Sequence, residues 1–243
     1  MMDNHSSGHS LFTRNPRNPL LTAADWPHTV NAVFNPGAVR LKDGTTLLLC
    51  RVEDRRGISS LWAARSSNGV DNWEIDPKPT LAPEPDKNPE EVWGVEDPRI
   101  VWLEEIGKYA ITYTAYSQTG PAVSMALTED FRDFERLRLV LAPEDKDAAL
   151  LPRRYGACWL MIHRPVTGRG AADIWVAESP DLRVVGVDGQ VGPILDAALD
   201  ELAAAGWIDP ALRASIPLAY ETTDRGIGWY FYHHHHLHIS LEE

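Results

Sequence analysis

The chain lacks most features of exported, membrane-bound and nucleic-acid-binding proteins. Its 243 residues include only two cysteines, Cys50 and Cys158, which are too few for a disulfide framework and fit a reducing compartment as buried thiols. No apolar run approaches the length that spans a membrane, and residues 1–12 lack the basic and apolar regions of a signal peptide. The formal net charge of −12 opposes binding to a phosphate backbone. We therefore expect a soluble, cytoplasmic protein whose partners include neither nucleic acid nor membrane.

The composition is otherwise that of an ordinary folded protein, apart from its tryptophan content. The chain is 44% hydrophobic and 24% charged, as in soluble globular domains, and its length is compatible with one large all-β domain. Nine tryptophans are many for this length. Some are expected to pack between strands, but indole rings also offer an apolar face on which a sugar ring can stack.

Three stretches of the chain align without gaps, and their polar residues recur at the same register. A shift of 62 residues places Asn35 on Asp97 and Arg51 on Tyr113, and a further shift of 51 places Tyr113 on Arg164. Repeats of roughly 40–60 residues that are rich in short strands are typical of propeller blades. The registered polar positions also indicate that the repeats contribute to one shared site.

Each repeat is predicted to contain short strands separated by turns. In the first repeat, Lys42-Asp43-Gly44 separates two apolar runs, which predicts a hairpin, and further strands are predicted at 60–65 and 73–75. The second repeat follows the same order and ends with a strand at 135–141, and three strands are evident in the third. Four short strands per unit are the pattern of a propeller blade, so the predicted fold class is an all-β propeller.

The repeats also predict the domain organisation. A flexible N-terminal lead-in over residues 1–33 precedes a single β-propeller domain over residues 34–243. The clear blade repeats span residues 35–83, 96–143 and 146–186.

Residues 187–243 diverge from the repeat pattern. Residues 197–205 are rich in alanine, leucine and glutamate, which favours a helix, and a weak strand pair is predicted at 219–222 and 228–232. The histidine run at 233–236 is not predicted to be a metal site, because adjacent residues on a strand alternate faces and cannot all ligate one ion.

Polar residues near the first strands of the repeats would converge at one mouth of such a propeller, because the inner strand of each blade lines the central channel. Asn35 and Asp97 lie just before the first strands of their blades. In the third repeat the match falls on Ala148, with Lys146 and Asp147 beside it. These positions supply an amide, carboxylates and a cation to the predicted site.

The second strands supply mainly cations. Arg51, Tyr113 and Arg164 lie at the ends of these strands, and His163 precedes Arg164. A single acid beside several cations suits group transfer to or from an anion, with arginine giving bidentate contacts to phosphate. Hydrolysis of a glycoside requires a second carboxylate, whereas a phosphate nucleophile requires a cationic cradle instead.

Each of these residues also has a purely structural interpretation. Asp97 precedes Pro98 and could cap a turn. Arg51 could pair with Glu53 at the surface, and His163 could be a polar residue satisfied within the fold. The residues by themselves leave both interpretations open.

Several motifs, in the same order along the chain, strongly resemble glycoside hydrolase family 130. They run from about Asn35 to Leu182 and read NPGAVRL, LLCRVEDRRG, GVEDPRIV, YAITYTAYS, KDAALLPRR and MIHRPV. GVEDPRI together with ITYTAY is a fairly specific pair, and HRP after the KDA segment adds to it. The resemblance implies a five-bladed β-propeller that acts on β-mannosides, as a phosphorylase in most members and as a hydrolase in some.

The resemblance also implies roles for individual residues. Asp97 would be the catalytic acid, acting through the 3-hydroxyl of mannose while phosphate attacks the anomeric carbon from the opposite face, so that α-mannose 1-phosphate is released. The sugar would be bound by Asn35, Arg51, Trp93 and Tyr113. Phosphate would be bound by Lys146 and Arg164, with Arg56, His163, Tyr232 and His233 as weaker candidates.

The implied reaction takes inorganic phosphate as co-substrate and a β-mannoside oligosaccharide as substrate, and it needs no metal or organic cofactor. Five four-stranded blades usually need about 300 residues, more than the 243 present, so we expect three clear blades and a divergent C-terminal part. An incomplete propeller exposes sheet edges, which favours a homo-oligomer. Two alternatives stay open: a β-mannosidase in which Asp147 or Glu96 activates water, and a non-catalytic carbohydrate-binding propeller.

Overall fold

The computed structural model describes residues 15–166, 174–182, 200–201 and 203–206, together with the backbone of 236–239. Twelve strands in these residues form three four-stranded antiparallel sheets, which confirms the predicted all-β class. Helical backbone at residues 200, 201, 203 and 204 agrees with the predicted helix. No helix within the described ranges has the length and apolar character needed to cross a membrane.

Sheet 1 is built from the first repeat, and its first strand begins three residues before the predicted start of that repeat. It consists of β1 (Ala32–Arg40), β2 (Thr46–Glu53), β3 (Ser59–Ser66) and β4 (Glu74–Ile75), in that order. The predicted hairpin between β1 and β2 forms with Gly44 at a φ of 87°, a conformation that glycine adopts without strain.

Sheets 2 and 3 repeat this order. Sheet 2 consists of β5 (Val95–Leu103), β6 (Lys108–Ser117), β7 (Gly120–Thr128) and β8 (Glu135–Leu141). Sheet 3 consists of β9 (Asp145–Tyr155), β10 (Cys158–Pro165), β11 (Ile174–Ser179) and β12 (His236–Ile239).

The outermost strand of sheet 3 was not predicted. β12 comes from the divergent C-terminal part and pairs antiparallel with β11. A strand of four residues carries too little periodicity to be recognised in a sequence. The predicted strand pair at 219–222 and 228–232 lies outside the described residues.

The three sheets pack face to face in chain order. Leu47 and Leu49 of β2 meet Ile111 and Tyr113 of β6 in the core between sheets 1 and 2. The core between sheets 2 and 3 includes Leu103, Val123, Met125, Leu150, Trp159 and Met161. Burial of these side chains supplies most of the driving force that holds the sheets together.

The other face of sheet 1 is covered by the segment that precedes it. Trp26 and Val30 are buried against Cys50, Val52 and Trp62. Residues 23–25 form a single 3-10 turn within this otherwise irregular segment. The segment therefore gives sheet 1 an apolar cover on the side that faces away from sheet 2.

The first strands of the sheets lie side by side. β1 packs against β5, and β5 packs against β9. The approach of β1 to β5 requires Gly37, because a Cβ atom at this position would lie 2.8 Å from the carbonyl oxygen of Pro98. Three blade-like sheets with adjacent inner strands are thus present, and a closed ring of five blades stays a prediction.

Candidate active site

The three inner strands line one open cavity of about 470 Å³. Its walls are formed by four residues of β1, four of β5 and three of β9: Asn35, Pro36, Gly37, Ala38, Asp97, Arg99, Ile100, Val101, Asp147, Ala149 and Leu150. Three of the four polar residues predicted near the first strands, Asn35, Asp97 and Asp147, therefore meet at a common cavity, and Lys146 is not among its lining residues.

Each inner strand carries a bulge at the cavity, and the bulged residue is an asparagine or aspartate. Asn35, Asp97 and Asp147 have φ angles of 44°, 48° and 58°. Side chains of these types adopt the left-handed conformation more readily than most others. The predicted exact match of Ala148 to Asp97 is wrong by one residue, because the strand pairing makes Asp147 the equivalent position.

Asp97 is fixed by hydrogen bonds from two neighbouring side chains. Its Oδ1 atom accepts from Nδ2 of Asn35 at 3.0 Å and from Nη1 of Arg51 at 3.1 Å. Arg51 belongs to sheet 1, so it reaches across to the inner strand of sheet 2. Neither contact uses Oδ2 of Asp97.

Arg51 is itself held on several sides. It donates from Nη2 to Oε1 of Glu96 at 2.8 Å and from Nε to Oγ of Ser59 at 2.9 Å, and its guanidinium lies over the ring of Phe34. Only 14% of its side chain is exposed. Such a restrained arginine keeps the Asp97 carboxylate in one orientation.

Glu96 gives the site a second carboxyl group next to Asp97. Burial is the main reason that the pKa of Glu96 is raised above its ordinary value of 4.5, and the charges of Asp97 and Glu53 add to this effect. The cations Arg51 and Lys146 oppose it. Lys146 belongs to β9, so a charge of sheet 3 contributes to the electrostatic environment of Glu96.

A second arginine–aspartate pair lies on the β9 side of the cavity. Arg164 donates from Nε at 2.8 Å, and also from Nη2, to the same Oδ2 atom of Asp147. Lys146 pairs with Arg164 across the strands β9 and β10. About one third of each side chain in the Arg164–Asp147 pair is exposed, so water and ligands can reach it.

The predicted role of Tyr113 is corrected by the strand register. The pairs Phe34–Arg51 and Glu96–Thr114 occupy equivalent places beside their bulges, so Thr114 rather than Tyr113 corresponds to Arg51. A shift of one residue along a strand turns the side chain to the opposite face of the sheet.

Tyr113 accordingly lies in the core between sheets 1 and 2 and does not line the cavity. Its hydroxyl group donates to Oε1 of the fully buried Glu91 at 2.8 Å, and Arg136 pairs with the other oxygen of Glu91. Burial, together with the charge of Glu91, raises the pKa of the Tyr113 phenol well above its ordinary value of 10.0.

His163 is also turned away from the cavity. Its Nδ1 atom lies 2.6 Å from Oδ2 of Asp145, and both side chains are almost completely buried. Adjacent residues on a strand face opposite sides, so His163 and Arg164 point to different faces of β10. Burial raises the pKa of the Asp145 carboxyl above its ordinary value of 3.8, although the His163 contact opposes this.

Arg56 does not join the cluster around Asp97. It lies in the loop between β2 and β3, where its exposed guanidinium pairs with Asp54 at 2.7 Å. Tyr232 and His233, the remaining predicted phosphate ligands, lie outside the described residues.

Trp93 is exposed and lies two residues before the start of β5, four residues before Asp97. Its ring makes an edge contact with Tyr116 at a centroid distance of 5.4 Å, and its backbone N–H donates to the carbonyl oxygen of Tyr116. Gly94 follows in the left-handed conformation and lies so close to Ser59 that a Cβ atom would clash. These contacts give the exposed indole a fixed position beyond the Asp97 end of the cavity.

Ser59, Glu91 and Thr112 carry no recognisable signal in the sequence, and each supports the site through a tertiary contact. Ser59 accepts from Arg51, and Glu91 anchors the turn that leads to Trp93. The side chain of Thr112, on the same face of β6 as Thr114, donates to the carbonyl oxygen of Ala148 at 2.7 Å. Only the register between strands and sheets decides such contacts.

Comparison with known proteins identifies the family. A family model described as beta-1,4-mannooligosaccharide phosphorylase, of glycoside hydrolase family 130, matches residues 12–199. The chain therefore belongs to glycoside hydrolase family 130, which confirms the resemblance seen in its motifs.

Two curated relatives show the range of this similarity. A β-1,2-mannobiose phosphorylase of Listeria innocua is 34% identical over 130 residues, which are 53% of this chain and 35% of the relative. A β-1,4-mannooligosaccharide phosphorylase of Ruminococcus albus is 26% identical over 227 residues, which are 90% of this chain and 62% of the relative. The chain thus matches less than two thirds of the length of either relative.

Solved structures share the fold. The β-1,2-mannobiose phosphorylase from Listeria innocua, in complex with β-1,2-mannobiose, superimposes with a TM-score of 0.64 at 26% identity, covering 71% of this chain and 64% of that chain. A glycosyl hydrolase from Bacteroides ovatus superimposes with a TM-score of 0.61 at 22% identity, covering 73% of this chain and 58% of that chain.

Proposed function

We propose that this site performs inverting phosphorolysis of β-mannosides and releases α-mannose 1-phosphate. The observation that carries the proposal is the position of Asp97, which is held through one oxygen atom at the wall of the cavity shared by three blades. The family and its mannoside phosphorylases support the reaction class.

Asp97 acts as the acid through its second oxygen atom. Asn35 and Arg51 both bind Oδ1, which leaves Oδ2 to carry the proton toward the sugar. The proton passes to the 3-hydroxyl of mannose as the hydroxyl proton moves to the glycosidic oxygen. The C1–O bond to the leaving sugar then breaks, and Asp97 is left as a carboxylate.

Phosphate attacks C1 from the face opposite the leaving sugar. Lys146 and Arg164 supply the positive charge for it, on the β9 side of the cavity. Attack from this side inverts the anomeric centre and forms the α-phosphate. Because phosphate is itself the nucleophile, no second carboxylate is needed to activate water.

The leaving sugar is proposed to lie toward Trp93. The exposed indole and its edge contact with Tyr116 offer an apolar surface of the kind on which pyranose rings stack. The rigid backbone pairing of Trp93 with Tyr116 makes this surface preorganised, which favours binding.

The test is synthesis in the reverse direction, with α-mannose 1-phosphate, a panel of acceptor sugars and measurement of phosphate release. We expect acceptor-dependent release by the wild-type chain and a loss of roughly 100-fold or more in Asp97→Asn, in the range of general acid catalysis. Asparagine suits the left-handed backbone at this position, so the fold should be retained.

Asp76→Asn is the control for this experiment. Asp76 pairs with Arg65 on the outer side of sheet 1 and has no contact with the cavity. Unchanged activity in Asp97→Asn, or an equal loss in both variants, would show that Asp97 is not the acid.

A hydrolytic β-mannosidase is the second candidate, and the position of Asp147 favours it. The Asp147 carboxylate lines the same cavity as Asp97, as inverting hydrolysis by two carboxyl groups requires. Turnover of β-mannosides that does not depend on added phosphate and is lost in Asp147→Asn would establish this alternative.

A further inference from the structure

The guanidinium group of Arg164 is bound by a carboxylate of its own sheet. Nε and Nη2 both donate to Oδ2 of Asp147, which is the geometry in which arginine also binds an oxygen atom of phosphate. Asp147 lines the cavity, and about one third of the side chain of each partner is exposed. An internal anion thus occupies donors that an incoming oxyanion would use.

The equivalent arginine of sheet 1 behaves differently. Arg51 reaches across to Asp97 in the inner strand of sheet 2, so each partner comes from a different sheet. If each sheet repeated this arrangement, a cation of sheet 2 at the position equivalent to Arg51 would reach Asp147 in the inner strand of sheet 3. The residue in that place is Thr114, which has no charge.

Among the described residues, the cationic partner of Asp147 is therefore Arg164, and the two charges largely neutralise each other. Within the described residues, the cavity region also holds the cations Arg51, Arg99 and Lys146. A phosphate ion entering beside Arg164 is repelled by Asp147 and must compete with it.

We propose that Asp147 is an internal counter-anion that sets the affinity of the cavity for phosphate by competing for Arg164. This role rests on the proposed phosphorolysis and makes Asp147 a residue that tunes the nucleophile site. Phosphate and α-mannose 1-phosphate share a phosphoryl group, so the competition weakens the binding of both. Weaker binding of the phosphorylated product favours its release.

The test is removal of the Asp147 charge while its backbone conformation is kept. Asp147 has a φ of 58°, which asparagine tolerates well and glycine tolerates without strain. Asp147→Asn is the first variant, and Asp147→Gly is the second if the first does not fold. Titration calorimetry with inorganic phosphate, in the absence of sugar, measures the Kd of each variant at fixed ionic strength.

We expect the Kd for phosphate to fall several-fold in Asp147→Asn, because Coulomb repulsion between two anions a few ångströms apart outweighs any loss of arginine orientation at this partly exposed pair. The KM values for phosphate and for α-mannose 1-phosphate should fall in parallel. The matched control is Asp76→Asn, which removes a similarly exposed arginine partner outside the cavity and should leave these values unchanged.

Two outcomes would overturn the proposal. A higher or unchanged Kd for phosphate in Asp147→Asn would mean that Asp147 orients Arg164 or does not act on it. The second outcome is phosphate-independent turnover by the wild-type chain that is lost in Asp147→Asn, which would make Asp147 the base of a hydrolase. The calorimetry contains no sugar, so it does not depend on turnover. A wild-type chain that binds phosphate but shows no turnover would refute only the proposed phosphorolysis. The ratio of the phosphate Kd of Asp147→Asn to that of the wild type would still decide the role of Asp147.

Discussion

At the scale of the residue, backbone conformation and chemistry favour the same side chains at the cavity. The bulge of each inner strand requires a left-handed residue, and asparagine and aspartate are among the few that tolerate it. Asn35, Asp97 and Asp147 therefore satisfy the backbone and also direct polar groups to the cavity wall. The recurrence of asparagine and aspartate in the sequence is therefore explained both by the backbone conformation and by the chemistry of the site, and the sequence alone does not distinguish these two causes.

The corrected position of Tyr113 gives a prediction that separates stability from substrate binding. Replacing Tyr113 with phenylalanine removes the hydrogen bond to the fully buried Glu91. We expect a loss of about 1–3 kcal/mol in the free energy of unfolding, the usual effect of leaving a buried polar group unsatisfied. The KM for the mannoside should stay unchanged. Urea denaturation and steady-state kinetics measure the two quantities.

Tyr109→Phe is the matched control for this prediction. Tyr109 lies on the same strand and in the same core cluster, and its hydroxyl has no hydrogen bond within the described residues. The control should lose less stability than Tyr113→Phe. A raised KM with unchanged stability in Tyr113→Phe would instead place the phenol in the sugar pocket.

At the scale of the element, every strand except β12 was predictable, and the registers were not. The repeat of short strands separated by turns predicted the strands of sheet 2, including β8 at its observed bounds. In sheet 1, Leu41 still pairs with Thr45, so the loop of the first hairpin has three residues, 42–44. In sheet 2, Leu103 pairs with Lys108, so the corresponding loop has four residues, 104–107. This one-residue difference moves Thr114 into the place of Arg51, and a linear alignment without gaps cannot detect it.

The close approach of β1 to β5 gives a prediction for an element. A Cβ atom at Gly37 would lie 2.8 Å from the Pro98 carbonyl oxygen and 3.1 Å from the Ile100 side chain. Gly37→Ala should therefore force the two strands apart and destabilise the fold by about 1–3 kcal/mol. Since Asn35 and Asp97 lie on these strands, turnover should fall as well. Thermal unfolding and the reverse-direction assay measure both effects.

Gly57→Ala is the control for Gly37→Ala. Gly57 lies in the loop between β2 and β3, and a Cβ atom there would meet nothing within 4 Å. Its left-handed φ of 80° makes alanine mildly unfavourable, so stability should fall slightly and activity should not. Full activity in Gly37→Ala would contradict the inferred role of the close approach.

At the scale of the whole molecule, the cavity exists only where three sheets meet. Each sheet contributes one inner strand to the cavity. Arg51 belongs to sheet 1, the proposed acid Asp97 to sheet 2, and Lys146 and Arg164 to sheet 3. The backbone of β12, from the divergent C-terminal part, completes sheet 3. The arrangement of the sheets around a common cavity agrees with the family fold.

The packing of the N-terminal segment onto sheet 1 gives a prediction for the whole molecule. Cys50 is covered by Trp26 and Trp62, and burial raises the pKa of its thiol to about 12. In Cys158→Ser, which leaves Cys50 as the only thiol, labelling with an aromatic disulfide reagent should require unfolding. As the urea concentration rises, labelling of Cys50 should increase over the same range in which the circular dichroism signal of the folded protein is lost. Rapid labelling of the native protein would show that this segment opens independently.

The sequence by itself determined the family, all strands except β12, and most of the polar residues from which the site is drawn. These follow from local periodicity, turn chemistry and motifs, which act over a few neighbouring residues. Only the tertiary structure decided which of these residues meet. Tyr113 and His163 turned into the interior, and Asp147 replaced Ala148 as the equivalent of Asp97. The physical reason is that a side chain's face depends on strand register, and loop lengths and packing between sheets fix that register.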